Sequence, residues 1–170
     1  MILMHHHVCP DEEVPPSGGP HPVEGWQHRI RPDEFAVQLE SLRRLKFTFV
    51  SLDEYVRRAV DSNQGPGRMV ALTLDDGWRD NYTYAWPVLA RLGVPATFFV
   101  VSGPMDGVAA ERRMTTRMLR ELVAAGMEVG AHTRTHPNLA MLPQARLDDE
   151  VGGCKADLED LLGQPVRFLA

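Results

Sequence analysis

Two short segments of the chain carry acidic and imidazole side chains at spacings that suit metal chemistry. Asp75 and Asp76 come directly after an apolar run, and His132 and His136 follow a second apolar run. Carboxylate and neutral imidazole groups are common ligands of zinc and its neighbours in the transition series. Because two histidines and one carboxylate leave positions open for water and substrate, the set indicates a catalytic metal site rather than a closed structural one.

The two aspartates stand where a buried strand is expected to end. Residues 69–74 form an apolar run of strand length, and paired acids at the end of such a run serve no packing purpose. Alternation along a strand would send Asp75 and Asp76 to opposite sides, but the turn that Gly77 allows can bring both carboxylates to one mouth. Like charges held that close need a cation or a proton between them.

The histidine pair is predicted to lie at a strand end followed by a turn. A spacing of four residues would suit one face of a helix, but Pro137 disfavours helical backbone at His136, and the residues before His132 are typical of a strand. Either motif alone is a weak signal, since Asp-Asp-Gly is most often a solvated turn. Their occurrence at two strand ends favours function, because parallel α/β folds place their sites there.

The elements that must position these residues alternate between strand and helix. Strands are predicted at the N-terminus, at 47–50, 69–74 and 96–101, before His132, and in a final stub that begins near Pro165. Helices are predicted at 32–46, 51–60, 82–93, 116–125 and 143–162, with an irregularity at Pro87. Residues 10–24 and 61–68 are rich in proline and glycine and indicate loops. The alternation predicts an α/β fold with a parallel sheet and right-handed crossovers.

Composition narrows the class of protein. The chain has 170 residues with 44% hydrophobic content, which is enough for one globular domain with a sizeable core. Its net charge of −5, from 18 basic and 23 acidic residues, provides no basic stripe for a phosphate backbone, so nucleic acid is excluded as an expected partner. Cys9 and Cys154 imply no disulfide framework.

Targeting signals are not recognisable in the sequence. The opening Met1–Met4 is too short for a signal peptide and lacks its basic region, and no apolar run approaches membrane-spanning length. As written, we expect the chain to have no membrane span and to be cytoplasmic, or to lack an export signal.

Several segments together resemble the polysaccharide deacetylases, which are carbohydrate esterases of family 4 with a NodB homology domain. Ile2–Val8, Phe47–Glu54 and Pro137–Leu139 are also similar to members that act on poly-N-acetylglucosamine, and the resemblance extends over almost the whole chain. The segments that carry it are Ile2–Val8, Phe47–Glu54, Thr73–Gly77, Trp78–Tyr82, Gly93–Val100, His132–His136 and Pro137–Leu139.

The resemblance implies a metal-dependent hydrolase that removes N-acetyl groups from an N-acetylhexosamine polymer. By it, Asp76, His132 and His136 bind the metal, and Asp75 is the general base that takes a proton from the attacking water. The expected cofactor is Zn²⁺, although cobalt, nickel or iron could occupy the same ligand set. The expected partner is an N-acetylated polysaccharide or oligosaccharide.

Three further residues are predicted to bind substrate or to support the ligands from behind. His6 and His7 lie at the end of the first strand, which is the catalytic face of a barrel, and a supporting role is favoured over direct metal ligation. Trp78 follows the Asp-Asp-Gly turn and is the best of the three tryptophans for stacking on a sugar face. Trp86 is expected in the core, and His21 and His28 in a solvated loop.

The resemblance also implies the fold and its extent. We expect a partial, distorted (β/α) barrel in which parallel strands alternate with helices, and in which the C-terminal units are absent. The family's later Pro-Tyr, acidic-Trp and Leu-x-x-His motifs, the last of which supplies the general acid, do not occur before Ala170. Residues 1–170 are therefore predicted to be one NodB homology domain, C-terminally truncated and weakly active at most, in a family that often works at the cell envelope.

Two alternative functions stay open, and self-association is also predicted. The chain could be a catalytically impaired metal- or carbohydrate-binding remnant. It could also be a relative that hydrolyses another non-peptide C–N bond, because a shared metal site does not fix the substrate. An unpaired sheet edge near Val166–Leu169 is predicted to favour self-association.

Overall fold

A computed structural model describes residues 1–14, 28–61, 67–103 and 111–170, with Asp61 described by its backbone alone. Most of the two predicted loops at 10–24 and 61–68 lies outside the described residues, as do His21 and Trp26.

The described chain alternates short strands with helices, as the sequence predicts. The strands are β1 (Ile2–His5), β2 (His7–Val8), β3 (Arg29–Ile30), β4 (Thr48–Val50), β5 (Met69–Leu74), β6 (Thr97–Val100) and β7 (Glu128–Ala131). The helices are α1 (Pro32–Arg44), α2 (Leu52–Asp61), α3 (Trp86–Leu92), α4 (Thr116–Ala124), α5 (Gln144–Asp148) and α6 (Cys154–Leu162). Two π-helical turns, Asn81–Ala85 and Asp149–Gly153, lead into α3 and α6. Short 3₁₀ turns occupy Asp11–Glu13 and Leu139–Met141.

The main sheet is parallel and has β5 at its centre. Its order is β1-β5-β6-β7, and β4 also pairs with β5. Ala71 of β5 is in register with Ile2 on one side and with Val50 on the other, so β5 has neighbours along both edges. A second, two-stranded sheet joins β2 to β3. The predicted parallel α/β fold is confirmed, and the described strands form an open sheet rather than a closed barrel.

The final stub lies beside β7. The amide of Ala131 donates to the carbonyl of Phe168 at 2.8 Å, and the amide of Ala170 donates to the carbonyl of Ala131 at 3.2 Å. Leu169 pairs with Ala131 in a parallel bridge, and its side chain is 46% exposed. Self-association at this edge stays a prediction.

Burial of β5 on both faces fixes where its end emerges. All six of its residues are buried, as expected for a central strand covered by helices. Leu72 and Leu74 contribute to the large core, whereas Ala71 belongs to a smaller cluster with Leu52 and Phe99. The helices contribute further large buried side chains, which include Phe35, Leu39, Leu89, Leu122 and Leu158. The strand is therefore held rigidly up to the point where the aspartates begin.

The predicted long helix at 143–162 is interrupted. The π-helical turn Asp149–Gly153 separates α5 from α6, and it contains the adjacent glycines Gly152 and Gly153, which favour irregular backbone. A Cβ at Gly153 would lie 2.5 Å from the Arg134 guanidinium carbon. The helix therefore closely approaches the segment His132–His136, which we call the histidine loop. The predicted irregularity near Pro87 corresponds to the other π-helical turn.

Two remaining expectations concern cysteines and membranes. Cys9 and Cys154 are buried, and both are free thiols. No helix in the described ranges is both long enough and apolar enough to cross a bilayer.

The last residue of β1 is a buried histidine. His5 is 8% exposed, and its ring meets that of Phe35 edge to face with centroids 5.0 Å apart. Burial lowers the pKa of His5 to about 4; Gln38 partly offsets this effect and the charge of His6 adds to it. His5 is therefore neutral in the folded protein near neutral pH.

We expect His5 to make the folded state less stable in acid. Unfolded His5 takes up a proton near pH 6.5 and folded His5 only near pH 4, so the unfolded state binds more protons within this window. The free energy of unfolding should fall as the pH drops through it, by up to about 3 kcal/mol.

Urea unfolding of the parent and of His5→Gln between about pH 7 and pH 4.5 measures this contribution. The parent should lose more stability than the variant over that range. Other groups titrate in both proteins, so their effect is removed when the two changes in stability are subtracted. A stability difference that does not change with pH would contradict the prediction.

Candidate active site

The structure brings together three residues from two distant segments. Asp76 follows β5, whereas His132 follows β7 and His136 comes four residues later. One donor atom from each of the three lies within 4.8 Å of the others. The Nε2 atoms of His132 and His136 are 3.3 and 3.4 Å from Oδ1 of Asp76. The cluster therefore forms at the carboxyl edge of the parallel sheet.

Left-handed backbone at the end of β5 turns the aspartates into the site. Asp76 has a φ of 73° and Gly77 a φ of 71°. Aspartate tolerates this region better than most side chains, and glycine adopts it freely. A Cβ at Gly77 would also lie 3.2 Å from a methyl group of Val100, so the turn is tight against β6. This turn overrides the strand alternation that would have separated Asp75 from Asp76.

The histidine loop also contains left-handed backbone. Thr133 has a φ of 64° and His136 a φ of 57°. Such backbone costs a β-branched residue on the order of 1–3 kcal/mol and persists only where the surroundings enforce it. The hydroxyl of Thr133 accepts a hydrogen bond from the amide of His136 at 3.0 Å, which closes the turn. Pro137 disfavours right-handed helical backbone at His136, in keeping with the observed conformation.

Hydrogen bonds orient the His132 ring and the Asp76 carboxylate toward one point. Nδ1 of His132 lies 2.7 Å from the carbonyl of Ala170 and donates to it, so Nε2 is the nitrogen that faces Asp76. The indole Nε1 of Trp78 donates to Oδ2 of Asp76 at 2.9 Å, which turns Oδ1 toward the histidines. Oδ1 is buried, and no residue in the described ranges gives it a well-formed hydrogen bond.

The donor set fits a divalent transition metal. Lone pairs that converge in a buried place repel unless a cation or a proton lies among them. Donors at 2.0–2.1 Å from a tetrahedral zinc ion stand about 3.3 Å apart. The distances from Asp76 Oδ1 to the two imidazole nitrogens, 3.3 and 3.4 Å, match this spacing. Asp76, His132 and His136 could therefore hold zinc.

The two adjacent carboxylates differ in acidity. Burial raises the pKa of Asp75 to about 6, an effect that the charge of Asp76 adds to and that of His132 opposes. Burial would also raise the pKa of Asp76, but the close His132 imidazole and the charge of Arg113 hold it well below its usual range. Asp76 is therefore ionised at all relevant pH values, whereas Asp75 exchanges its proton closer to neutrality.

Asp75 has an oxygen available for proton transfer. Its side chain is 5% exposed, and Oδ1 has no hydrogen-bond partner among the residues that the structure describes. Its amide donates to the carbonyl of His5 at 2.9 Å, which joins the first residue after β5 to the end of β1. The position suits a group that accepts a proton within the site.

His7 and Trp78 support the cluster from behind. His7 is 1% exposed, its Nδ1 lies 2.5 Å from an oxygen of Asp80, and its ring stacks on that of Trp78 with centroids 4.6 Å apart. Trp78 in turn holds Asp76 through its indole nitrogen. Trp78 is itself only 4% exposed, because its ring lies against His7 and the Arg113 guanidinium. This burial favours a supporting role for Trp78 over stacking on a sugar face, and the role of Trp78 stays a prediction.

His6 lies within electrostatic range of the cluster. It is partly exposed, its ring is 5.4 Å from that of His28, and its charge interacts with those of Asp76 and His132. Burial lowers the pKa of His6, while the charge of Asp76 opposes that change. A substrate-facing role for His6 stays a prediction.

Two residues at the site were missed by the sequence analysis. Arg113 places its guanidinium carbon 3.7 Å from the Trp78 ring centroid, and no motif in its surroundings indicates this contact. Glu150 is 1% exposed and reaches the histidine loop from the π-helical turn. The sequence does offer a signal for Glu150, which stands four and eight residues before the buried Cys154 and Leu158. An acid on the buried face of a helix needs a hydrogen-bonding partner.

Comparisons with known proteins agree with this geometry. The sequence profile of the family described as polysaccharide deacetylase matches residues 62–170. The chain is 37% identical over 99 residues to a chitooligosaccharide deacetylase of Sinorhizobium fredii, and this match covers 58% of this chain and 42% of that protein. It is 41% identical over 85 residues to a chitooligosaccharide deacetylase of Bradyrhizobium, covering 49% and 36% of the two proteins.

Solved structures show the same fold over nearly the whole chain. The deacetylase PplD of Streptococcus pyogenes, described in complex with acetate, superposes with a TM-score of 0.81 at 27% identity, covering 99% of this chain and 71% of that one. IcaB from Ammonifex degensii gives a TM-score of 0.76 at 26% identity, with coverage of 99% and 71%.

The family assignment rests on both kinds of similarity. The chain spans 36% to 50% of the length of the first curated relatives that it matches. The matched profile nevertheless includes Asp75, Asp76, His132 and His136, the residues that the structure gathers at the sheet edge. The chain belongs to the polysaccharide deacetylase family.

Proposed function

We propose that this chain forms the metal-binding part of a deacetylase that removes N-acetyl groups from a polymer or oligomer of N-acetylhexosamine. The observation that carries the proposal is the convergence of Asp76, His132 and His136 beside the buried carboxyl of Asp75. The chitooligosaccharide deacetylases among its relatives support the substrate class. We further propose that residues 1–170 belong to one NodB homology domain.

The proposed cofactor is Zn²⁺ or another divalent transition metal held by Asp76, His132 and His136. When bound, such a cation would polarise the acetyl carbonyl and make a neighbouring water more acidic. Trp78 and the carbonyl of Ala170 keep the carboxylate and the His132 ring in the orientation that this requires. The hydrogen bond from the amide of His136 to the hydroxyl of Thr133 holds the backbone that carries the second imidazole.

Asp75 is the proposed general base. Its Oδ1 lies in a buried setting without a hydrogen-bond partner among the described residues, so it can take a proton from the water that attacks the acetyl carbon. Asp76 differs because one of its oxygens is held by Trp78 and the other faces the imidazoles. The neighbouring aspartates therefore have separate tasks, one in proton transfer and the other in binding the cation.

Acetate release from N-acetylated chitooligosaccharides by the natural protein tests the function directly. Release that is abolished by a chelator and restored by zinc is the expected result. Zinc binding without acetate release would favour a carbohydrate- or metal-binding remnant instead. Hydrolysis of a cyclic amide without acetate release would favour the relative that cleaves another C–N bond.

We expect His132→Ala and His136→Ala each to weaken zinc binding. Loss of an outer partner of a ligand typically costs roughly 10- to 100-fold in affinity, so removal of a ligand should cost at least that much. Isothermal titration of the metal-free chain with zinc measures the change. His28→Ala is the matched control, because His28 is exposed near the site but is not in the cluster. Binding by both alanine variants as tight as the parent's would refute the ligand assignment.

A second prediction separates the two aspartates. In the natural protein, Asp75→Asn should retain zinc while deacetylation falls by a factor on the order of 10² to 10⁴, the usual range for a general base. Asp76→Asn should lose both zinc affinity and activity, because it removes a ligand. Metal content and acetate release are measured on the same preparations. Equal loss of metal from both variants would remove the distinction between the two roles.

A further inference from the structure

A buried acid stands behind the histidine loop. Glu150 is 1% exposed and lies in the π-helical turn between α5 and α6. Its nearest cation is Arg146, whose Nη2 is 3.4 Å from Oε1 and whose side chain is 59% exposed. A buried carboxylate is unfavourable unless hydrogen bonds replace its water, so its partners must come mainly from elsewhere.

Those partners belong to the segment between the two histidines. Oε2 of Glu150 accepts the backbone amides of Arg134 at 2.9 Å and of Thr135 at 2.8 Å. Oε1 accepts the hydroxyl of Thr135 at 2.6 Å. Burial alone would raise the pKa of Glu150, but its hydrogen bonds with Thr135 and Arg134 hold the pKa below its ordinary value. The carboxylate is therefore ionised, and its bonds to the loop are charge-assisted.

The loop needs an acceptor at this place. Thr133 and His136 have left-handed backbone, so the chain between them leaves the ladder of β7 and its amides have no strand to pair with. Unpaired backbone amides are costly when they are shielded from water. The Glu150 carboxylate supplies acceptors for the amides of residues 134 and 135 from a neighbouring helix. The loop conformation and the buried acid thus stabilise each other.

Contacts on both sides of Arg134 hold the same segment. Its guanidinium donates two hydrogen bonds of 2.8 Å to Asp157 and also pairs with Asp149. Its carbonyl accepts from the amide of Gly103 at 2.9 Å, where a Cβ would approach that oxygen to 2.6 Å. Arg134 is therefore fixed outside the cluster, and the position of His136 depends on what holds Thr135.

We propose that Glu150 is a positioning residue that holds the loop between His132 and His136 in its metal-binding conformation. The inference rests on the proposed metal site. Glu150 acts through the backbone of residues 134 and 135 and through the Thr135 hydroxyl, without touching the cation or the substrate. Its removal should loosen His136 more than His132, because His132 is also held by the carbonyl of Ala170.

Glu150→Gln tests the proposal with little change in size. The amide offers one oxygen where the carboxylate offers two, so it cannot accept all three loop donors. Zinc affinity of the full 170-residue chain should fall roughly 10- to 100-fold, as for other outer partners of metal ligands. In the metal-free protein, hydrogen exchange at the amides of Arg134 and Thr135 should accelerate while exchange in β5 and β6 stays as in the parent.

Two controls separate positioning from general stability. Asp149→Asn changes an acid of the same turn that is 53% exposed and contacts the side chain of Arg134. Asp157 still holds that side chain through two hydrogen bonds, so zinc affinity should stay near that of the parent. Leu89→Ala creates a cavity where α3 packs into the hydrophobic core, away from the loop. It should lower the melting temperature while leaving zinc affinity and the exchange of residues 134 and 135 unchanged.

Each outcome bears on the proposal. Parent-like zinc affinity and parent-like exchange at residues 134 and 135 in Glu150→Gln would overturn it. If the parent itself binds no zinc, the metal site fails, and the exchange of the two amides still decides whether Glu150 holds the loop. If Glu150→Gln does not fold, Thr135→Val takes its place. Loss of that one hydroxyl bond should weaken zinc binding roughly 2- to 10-fold, and unchanged affinity would overturn the proposal.

Discussion

The candidate site depends on one close approach, in which a carboxylate oxygen and two imidazole nitrogens converge and repel one another unless a cation or a proton lies among them. Oδ1 of Asp76 lies 3.3 and 3.4 Å from Nε2 of His132 and His136. A free chain would relieve this repulsion by moving the groups apart. The fold prevents that through a parallel sheet, left-handed turns at both strand ends, and hydrogen bonds that fix the His132 ring and the Asp76 carboxylate. A bound cation would replace this repulsion with attraction. The fold therefore holds together three groups whose arrangement becomes favourable when a cation binds.

The same architecture gives neighbouring aspartates different chemistry. Asp76 is held by Trp78 and faces the imidazoles, while Asp75 keeps an oxygen free among the described residues. Sequence neighbours in a strand would point to opposite sides, and only the left-handed turn at Asp76 and Gly77 lets both reach one mouth. Two functions therefore arise from two consecutive residues, because the backbone changes direction between them.

Much of this arrangement could be predicted from the sequence, because its signals are local. The apolar run of β5 has the predicted bounds, and at the start of the helix predicted at 51–60 the amide of Glu54 donates to the hydroxyl of Ser51 at 3.1 Å. Residues whose environment comes from distant segments were not predictable in this way. The burial of Trp78 depends on His7 and Arg113, which are remote in the sequence. The role of Glu150 depends equally on a loop in a different segment, so only the tertiary structure shows what pairs with it.

The π-helical turn between α5 and α6 has a consequence for how this helical region can vary. Side chains four residues apart on a regular α-helix drift by about 40° per step, so a long stripe at this spacing gradually leaves the buried face. A wider turn at Asp149–Gly153 absorbs that drift, and Glu150 stays in line with the buried Cys154 and Leu158. Insertion or deletion of a single residue between Glu150 and Cys154 would rotate the acid by about 100° relative to the core. The length of this segment is therefore constrained by the histidine loop it supports, even though none of its residues belongs to the candidate metal centre.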